Sequence, residues 1–522
     1  MKAVKAGKGH KIRSLQRLLV RAMSSKALAV RQVTENRGNR TAGVDGETWD
    51  TPAKKEQGMN TLGRNPYRAK PLRRVYIPKK NGKKRPLGIP TMTDRAEQAL
   101  YALALAPVAE TTGDSHSYGF RKGRSIHDAI VQCFNVLFRQ TSSQWILEAD
   151  IKACFDKIDH QWLLTHIPID RTRLRQWLKA GFIEKETLFP TEEGTPQGGI
   201  ISPILANMTL DGLQALIAQH HRRGSKGHLI RYADDFIITA PDKSTLELEI
   251  LPLVRSFLQE RGLTLSEEKT VITHINDGFD FLGKTIRKFN GKLLIKPSKK
   301  SIHSLLDRIR HLVKTEGRQL SAVGLIRRLN PIIRGWANAH RHVVAKQTFA
   351  YVDFQIRLCL WRWAKRRHPD KSRWIQAHYF PSRDGQPSCF QARVGQRTVK
   401  LVLASQVPIR RFIKIRQHAN PFDPQWESYF EQRLFKMTHD EIVRKPLFMK
   451  LWHRQLATCP LCAQPLSLEG GQGWHVHHIV HKVHGGTDDL DNLMLLHPNC
   501  HQQLHHPDFR GPLPRLLGVQ DA

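Results

Sequence analysis

Nothing in this 522-residue chain approaches the roughly 20 consecutive apolar residues that a membrane-spanning helix requires. Its basic N-terminus lacks the pattern of a secretory leader. A soluble, intracellular protein is expected. Cysteine is scarce: there are seven, and three of them crowd into the last 64 residues. That distribution argues against a disulfide frame and for a metal site plus scattered reduced thiols. Acid is the other shortage. Against 83 Lys plus Arg stand 46 Asp plus Glu, leaving a formal charge of +37, a surplus that repels itself unless a polyanion neutralises it. Three stretches hold no acid at all: 1–34 with nine Lys or Arg, 281–306 with seven, and 385–422 with seven. Solvated faces normally mix both signs, so these are candidate phosphate-contacting surfaces, and nucleic acid is the expected partner. The length is too great for one core and predicts about three or four domains.

Where acids do occur they are placed pointedly. In "HLIRYADDFIITA", residues 228–240, two β-rich runs, Leu229 to Tyr232 and Phe236 to Thr239, pinch around Asp234 and Asp235. Adjacent carboxylates in an apolar hairpin repel and are costly to desolvate, so they require a cation or a wet turn. A third acid, Asp150, ends the apolar run of "WILEADIKACFDKIDH", residues 145–160, just before Phe155 and a helix start. Between them, "EGTPQGGIISPILANMTLDGL" reads as a Gly/Pro loop followed by a helix. Strand, loop and helix, then hairpin, fit an α+β sheet domain. Further on, Ser301 to His342 and Phe349 to Arg367 alternate apolar and basic residues at helical spacing, with Pro331 and Gly335 as local breaks, giving a basic helical module. Within it, Arg334, Trp336, Trp361, Arg362 and Trp363 interleave aromatic and cationic groups. Such residues either clamp nucleic acid or, as Trp at helical spacing more often does, form core.

Phosphoryl transfer onto a 3′-hydroxyl uses two divalent ions bridging the attacking and leaving oxygens, held by carboxylates from separate strands. Asp150 and Asp234 are candidates for the bridging ligands, with Asp235 in support. The tetrapeptide alone is weak evidence, because Asp-Asp is commonly a turn; order and context carry the weight.

The C-terminal spacing is sharper. Cys459-x-x-Cys462 with His497-x-x-Cys500 supplies four N/S ligands in two knuckles, the composition of a closed tetrahedral Zn²⁺ site, and one that would staple a fragment too small for a large core. His477, His478, Asn492, His501 and His505 are left over, more imidazoles than one zinc uses, and imply a second metal. A knuckle that merely bound DNA would leave His478 and Asn492 unexplained.

The segments "YIPKKNGKKRPLGIPTMTDRAEQ" at 76–98, "SYGFRKGRSIHDAI" at 117–130, "EADIKACFDKIDH", "GTPQGGIISPILAN" and "RYADD" resemble, in order and spacing, the reverse transcriptases encoded by bacterial group II introns. "RLNPIIRGWANAHR" at 328–341 looks like that family's thumb or maturase region, and the C-terminus resembles HNH endonucleases. The resemblance implies an α+β multidomain chain. It would have right-hand polymerase fingers and palm over 1–285, with an antiparallel palm sheet, and a helical thumb (maturase) domain over 286–384. A basic DNA-binding region over 385–450 and a zinc-containing ββα-metal HNH domain over 451–522 would follow. It assigns Asp150, Asp234 and Asp235 to two Mg²⁺ ions beside the Ile151 backbone, and Lys79 and Arg85 to the incoming triphosphate, suiting an ammonium and a forked guanidinium. Phe155 would stack under the sugar and exclude a 2′-hydroxyl, making dNTPs the substrates, and Gln197 would lie against nucleotide and template. Without that context, Phe155 is a core aromatic, Gln197 a loop residue, and Lys79 and Arg85 a solvated basic loop. The HNH match makes His478 the general base, His477 and His501 cation ligands with His505 as a third candidate, and Asn492 the residue orienting the base loop or the metal site; that cation is of unspecified identity, with Mg²⁺ favoured. One departure is that His497 stands where many HNH domains carry the first Cys of the second knuckle.

The implied function is multiple: RNA-directed DNA polymerase, splicing maturase and site-specific DNA endonuclease. As a ribonucleoprotein with intron RNA, lariat or precursor, it would cut double-stranded target DNA and prime copying of the inserted RNA, in the bacterial cytoplasm at the nucleoid. Paired RNA hides its base edges, so such a protein needs a broad cationic surface, and target choice would fall to base pairing by the RNA. The alternatives are an RNA chaperone with a lapsed polymerase and an RNA-dependent RNA polymerase. Oligomeric state is left open.

Overall fold

The computed structural model describes residues 1–36, 38–78, 82, 84–195, 198–220, 227–381, 388–395, 397–430, 432–433, 446–466, 474–480, 486–487 and 489–505. At its centre is a four-stranded antiparallel sheet in the order His228–Tyr232, Asp235–Ala240, Trp145–Asp150, Val271–His274. The central strands are apolar on both faces because both faces are covered. Leu147, Leu229, Phe236 and Ile238 pack into one core with the helices Met92–Thr112 and Ser202–Leu210. Ile146, Ile230 and Ile237 point the other way, into a core shared with the helix Ile126–Leu137 and the thumb. The sheet thus divides the molecule, and its strands are pinned from two sides.

The fingers carry a second sheet, in which Leu72–Pro78 pairs antiparallel with Lys84–Ile89 and parallel with Phe182–Glu184. After the palm, the strands Phe279–Phe281, Lys284–Phe289 and Lys292–Pro297 form a three-stranded meander. It leads into the thumb helices Lys299–Lys314, Ala322–His340 and Lys346–Arg367. Ser298 caps the first of these, accepting from the Ser301 N–H at 3.2 Å.

Pro331 and Gly335 do not break the thumb as expected; both lie inside the helix Ala322–His340. A mid-helix proline costs about 3 kcal/mol. Leu325, Ile326, Leu329 and Ile333 are all fully buried on that helix, and each contributes about 1.5–3 kcal/mol by burial, which outweighs the break. The tryptophans follow the core reading. Trp363 is buried with its Nε1–H donated to Gly317 O at 2.6 Å, and Trp336 donates to Ser301 Oγ at 3.1 Å.

The described part of the acid-free stretch, from 388 onward, packs with the thumb: Phe390, Leu401, Ala404, Val407 and Ile415 share its core. It then straps back onto the palm side. Ile415 N–H donates to Asp128 Oδ1 at 2.7 Å, and Arg433 pairs with the same carboxylate at 3.0 Å. The C-terminal domain has its own small core of Leu451, Leu466, Trp474 and Leu493 to Leu496. Its strands His475–His478 and Leu493–Leu496 form an antiparallel pair that feeds the helix Pro498–Leu504, a ββα unit.

Candidate active sites and metal centre

Asp235 is not in the turn but is the first residue of its strand, and it sits opposite Asp150 in the palm register, as it does opposite Tyr232 across the hairpin. The turn is the dipeptide Ala233–Asp234. Ala233 holds a left-handed φ of 59°, unusual for a residue with a Cβ, and the tight reversal puts Asp234 beside the other two acids. Burial raises the Asp234 carboxyl above the ordinary range, and the charge of Asp150 adds to it. Asp235 is raised further, by burial, by Asp234 and by a hydrogen bond with Asp150. Crowded beside Asp150, the Asp234 and Asp235 carboxyls hold their protons more tightly than free ones do unless a cation takes their place.

Two features of this corner are missed by sequence reasoning. Ser266 N–H donates to Asp150 O at 2.8 Å, which fixes the segment carrying Lys269, and Lys269 Nζ lies 2.6 Å from Asp150 Oδ2. That ammonium is the cluster's resident counter-charge; the acid-rich "SEEKT" around it is the only sequence signal. Gly119 of the SYGF motif lies flat against the hairpin turn, where a Cβ would come within 2.4 Å of Ala233 N. Tyr118 N–H donates to Arg231 O at 2.9 Å alongside.

The remaining candidates surround the acids. Ile151 is buried and bridges to Leu265. Phe155 is partly buried, on the short helix Cys154–Lys157, with Phe120 edge-on at 6.2 Å. Arg85 is exposed on the fingers strand and close enough to Asp234 to favour its ionised form. Lys79 and Gln197 lie outside the described residues.

In the C-terminal domain Cys459, Cys462, His497 and Cys500 bring their ligand atoms within 4.8 Å of one another. His497 Nδ1 faces the sulfurs, 3.4 Å from Cys462 Sγ and 3.9 Å from Cys500 Sγ, while its Nε2 lies 3.2 Å from Pro465 O. A ligating imidazole is ordinarily oriented by such a bond on its second nitrogen, so the donor set fits zinc, with histidine as fourth ligand.

A second cluster draws on the same helix. His477 is buried on the strand, and His501 and His505 stand one turn apart on Pro498–Leu504 and its C-cap. Their nitrogens lie within 4.8 Å of one another. His475, two residues before His477, brings its ring to 5.0 Å from His501; it is a fourth imidazole that the sequence reading left aside. His478 ends the strand opposite Leu493. Asn492 clasps the segment that follows: its Oδ1 accepts from Val480 N at 2.7 Å, and its Nδ2 donates to Val480 O and Thr487 O at 3.0 and 2.8 Å. These bonds tie Val480 to Thr487 through Asn492.

An acidic palm corner under a fingers sheet, joined through a helical thumb to a ββα unit with imidazole and thiol clusters, defines a nucleic-acid enzyme with separate polymerase and nuclease sites. The family models agree. Residues 1–62 match the N-terminal domain of reverse transcriptase, 77–286 the reverse transcriptase (RNA-dependent DNA polymerase), 302–380 the group II intron maturase-specific domain, and 459–507 the HNH endonuclease. Protein YkfC of Escherichia coli (strain K12) is 34% identical over 260 residues, 42% of this chain and 68% of that protein. Group II intron-encoded protein LtrA of Lactococcus lactis subsp. cremoris is 30% identical over 365 residues, 55% of this chain and 60% of its own length. The chain belongs to the group II intron-encoded proteins that carry reverse transcriptase, maturase and HNH endonuclease domains. Among the described residues no helix is long and apolar enough to cross a membrane.

Proposed function

We propose that the chain acts as a ribonucleoprotein with a group II intron RNA. It would assist splicing, nick a DNA target with its HNH domain, and extend the freed 3′ end by copying the inserted RNA. The observation that carries the polymerase reading is the register pairing of Asp150 with Asp235, next to Asp234. Mg²⁺ held by these three carboxylates would supply the Lewis acid that activates a 3′-hydroxyl and neutralises the leaving pyrophosphate. The crowding that raises the Asp234 and Asp235 carboxyls is relieved once they ligate a cation, so the site fits the ion. Arg85 would take the triphosphate through its forked donors. Phe155, braced by Phe120, would floor the sugar and select dNTPs over ribonucleotides. Lys79 and Gln197 are proposed for triphosphate and template contacts.

In the nuclease, His477, His501 and His505 would hold the catalytic cation, and His478 would take the proton from water, with its loop kept in place by Asn492. Cys459, Cys462, His497 and Cys500 would hold a structural Zn²⁺. The acid-free faces would meet RNA and DNA backbones, which sets affinity without setting sequence.

Primer extension on an RNA template, paired with nicking of a target duplex, tests this reading. Asp234→Ala is expected to abolish dNTP incorporation while leaving nicking intact, and His478→Ala the reverse, with zinc content unchanged. Equal incorporation by wild type and Asp234→Ala would overturn the polymerase assignment.

A further inference from the structure

The zinc knuckle is seated on the N-terminal domain. The helix Met23–Thr34 ends where the helix Pro52–Thr61 presents Lys55, and Asn499, the residue just before ligand Cys500, reaches this step. Lys55 Nζ donates to Asn499 Oδ1 at 3.0 Å, and Asn499 Nδ2 donates to Thr34 Oγ1 at 3.3 Å and also to the Glu35 carboxylate. The amide's acceptor and donor sides are both engaged by a domain more than 440 residues away in sequence. The junction is partly buried. The Glu35 side chain is 3% exposed and Thr34 is 2% exposed. Lys55 is partly shielded and lies within electrostatic reach of both Glu35 and Cys500, and His497 faces Glu35 in the same way.

Three thiolates, a neutral imidazole and a divalent ion leave one net negative charge on the knuckle. An ammonium within electrostatic reach of Cys500 complements that charge, and Glu35, which also pairs with Arg31 at 3.8 Å, balances the ammonium. Outer-shell partners of this kind orient ligands and tune their grip on the metal. We propose that Thr34, Glu35 and Lys55 form a socket for the metal-loaded knuckle, with Asn499 as its key and Lys55 as an outer-shell cation of the zinc site. The N-terminal helices then sense whether the metal is present, and the nuclease is carried at a fixed place on the domain that bears the acid-free face of residues 1–34. The proposal rests on the four-ligand site holding zinc and is independent of either catalytic assignment.

The test uses the full-length protein and two readouts other than activity. Zinc release to a colorimetric chelator is expected to be about 10-fold faster or more in Lys55→Met, and near the wild-type rate in Lys55→Arg, which keeps the charge. Hydrogen exchange at residues 31–36 and 52–58 is expected to quicken when zinc is removed from the wild type. In zinc-loaded Asn499→Ala it is expected to be fast already. An unchanged release rate in Lys55→Met together with zinc-independent exchange at 31–36 would overturn the socket, and a purified chain without stoichiometric zinc would overturn the metal reading on which it stands.

Discussion

Asp235 shows at the scale of one residue how a candidate functional site departs from stability. Its carboxyl is raised by burial, by Asp234 and by a hydrogen bond with Asp150. The folded state therefore holds this proton more tightly than the unfolded chain does, so folding stability is present below the ordinary carboxylate range and falls as pH rises through the raised pKa. Asp235→Asn removes that loss. In magnesium-free buffer at pH 8 it is expected to stabilise the polymerase domains by about 1–2 kcal/mol while abolishing primer extension. Thermal unfolding from pH 5 to 8 checks it: the wild type should lose stability across the range and the variant should lose less. Added Mg²⁺ should restore stability to the wild type only.

At the scale of elements, the strap onto the helix Ile126–Leu137 turns on Asp128. This carboxylate is fully buried and caps the helix by accepting from Ser125 N–H at 2.9 Å, and it also takes Ile415 N–H and Arg433. Arg433→Met leaves it without its cation, and breaking a buried pair from one side costs about 3–5 kcal/mol. Limited proteolysis should then cut the strap between 410 and 433 far faster than in the wild type; unchanged protection would show that apolar packing of Ile415 suffices. The strap was not legible in the sequence, because a contact across some 300 residues leaves no periodicity. The palm hairpin was legible, since alternation and an acidic pair survive in local order. Its turn was misplaced by one residue because nothing local reveals that Ala233 accepts a left-handed φ of 59°. Lys269 and His475 escaped for the same reason as the strap. Each gains its meaning from a partner on another element, Asp150 or His501. The four knuckle residues were legible because thiol and imidazole spacing suited to a metal survives in local order, and the fold brings their ligand atoms within 4.8 Å of one another.

For the whole molecule, charge decides the partner. A surplus of +37 spread over acid-free faces predicts RNA binding dominated by counterion release. If about 6 to 10 phosphates are neutralised, affinity for structured intron RNA should fall by about 10³–10⁵ between 50 and 200 mM salt. Filter binding across that range measures the slope, and a flat response would mean that recognition rests on base contacts. The two candidate sites stand on separate cores, one built on the palm sheet and one on the small ββα core. Each should therefore be removable without the other.

The central claim is that Asp150, Asp234 and Asp235 together hold the polymerase's cations. Anomalous scattering from Mn²⁺ in crystals of the protein with an RNA template, a dideoxy-terminated primer and a dNTP tests it most directly. Two peaks at the palm corner, with carboxylate oxygens of Asp150 and Asp234 reaching both, are the predicted result. Manganese confined to the C-terminal histidines, with Asp150 still paired to Lys269, would contradict it.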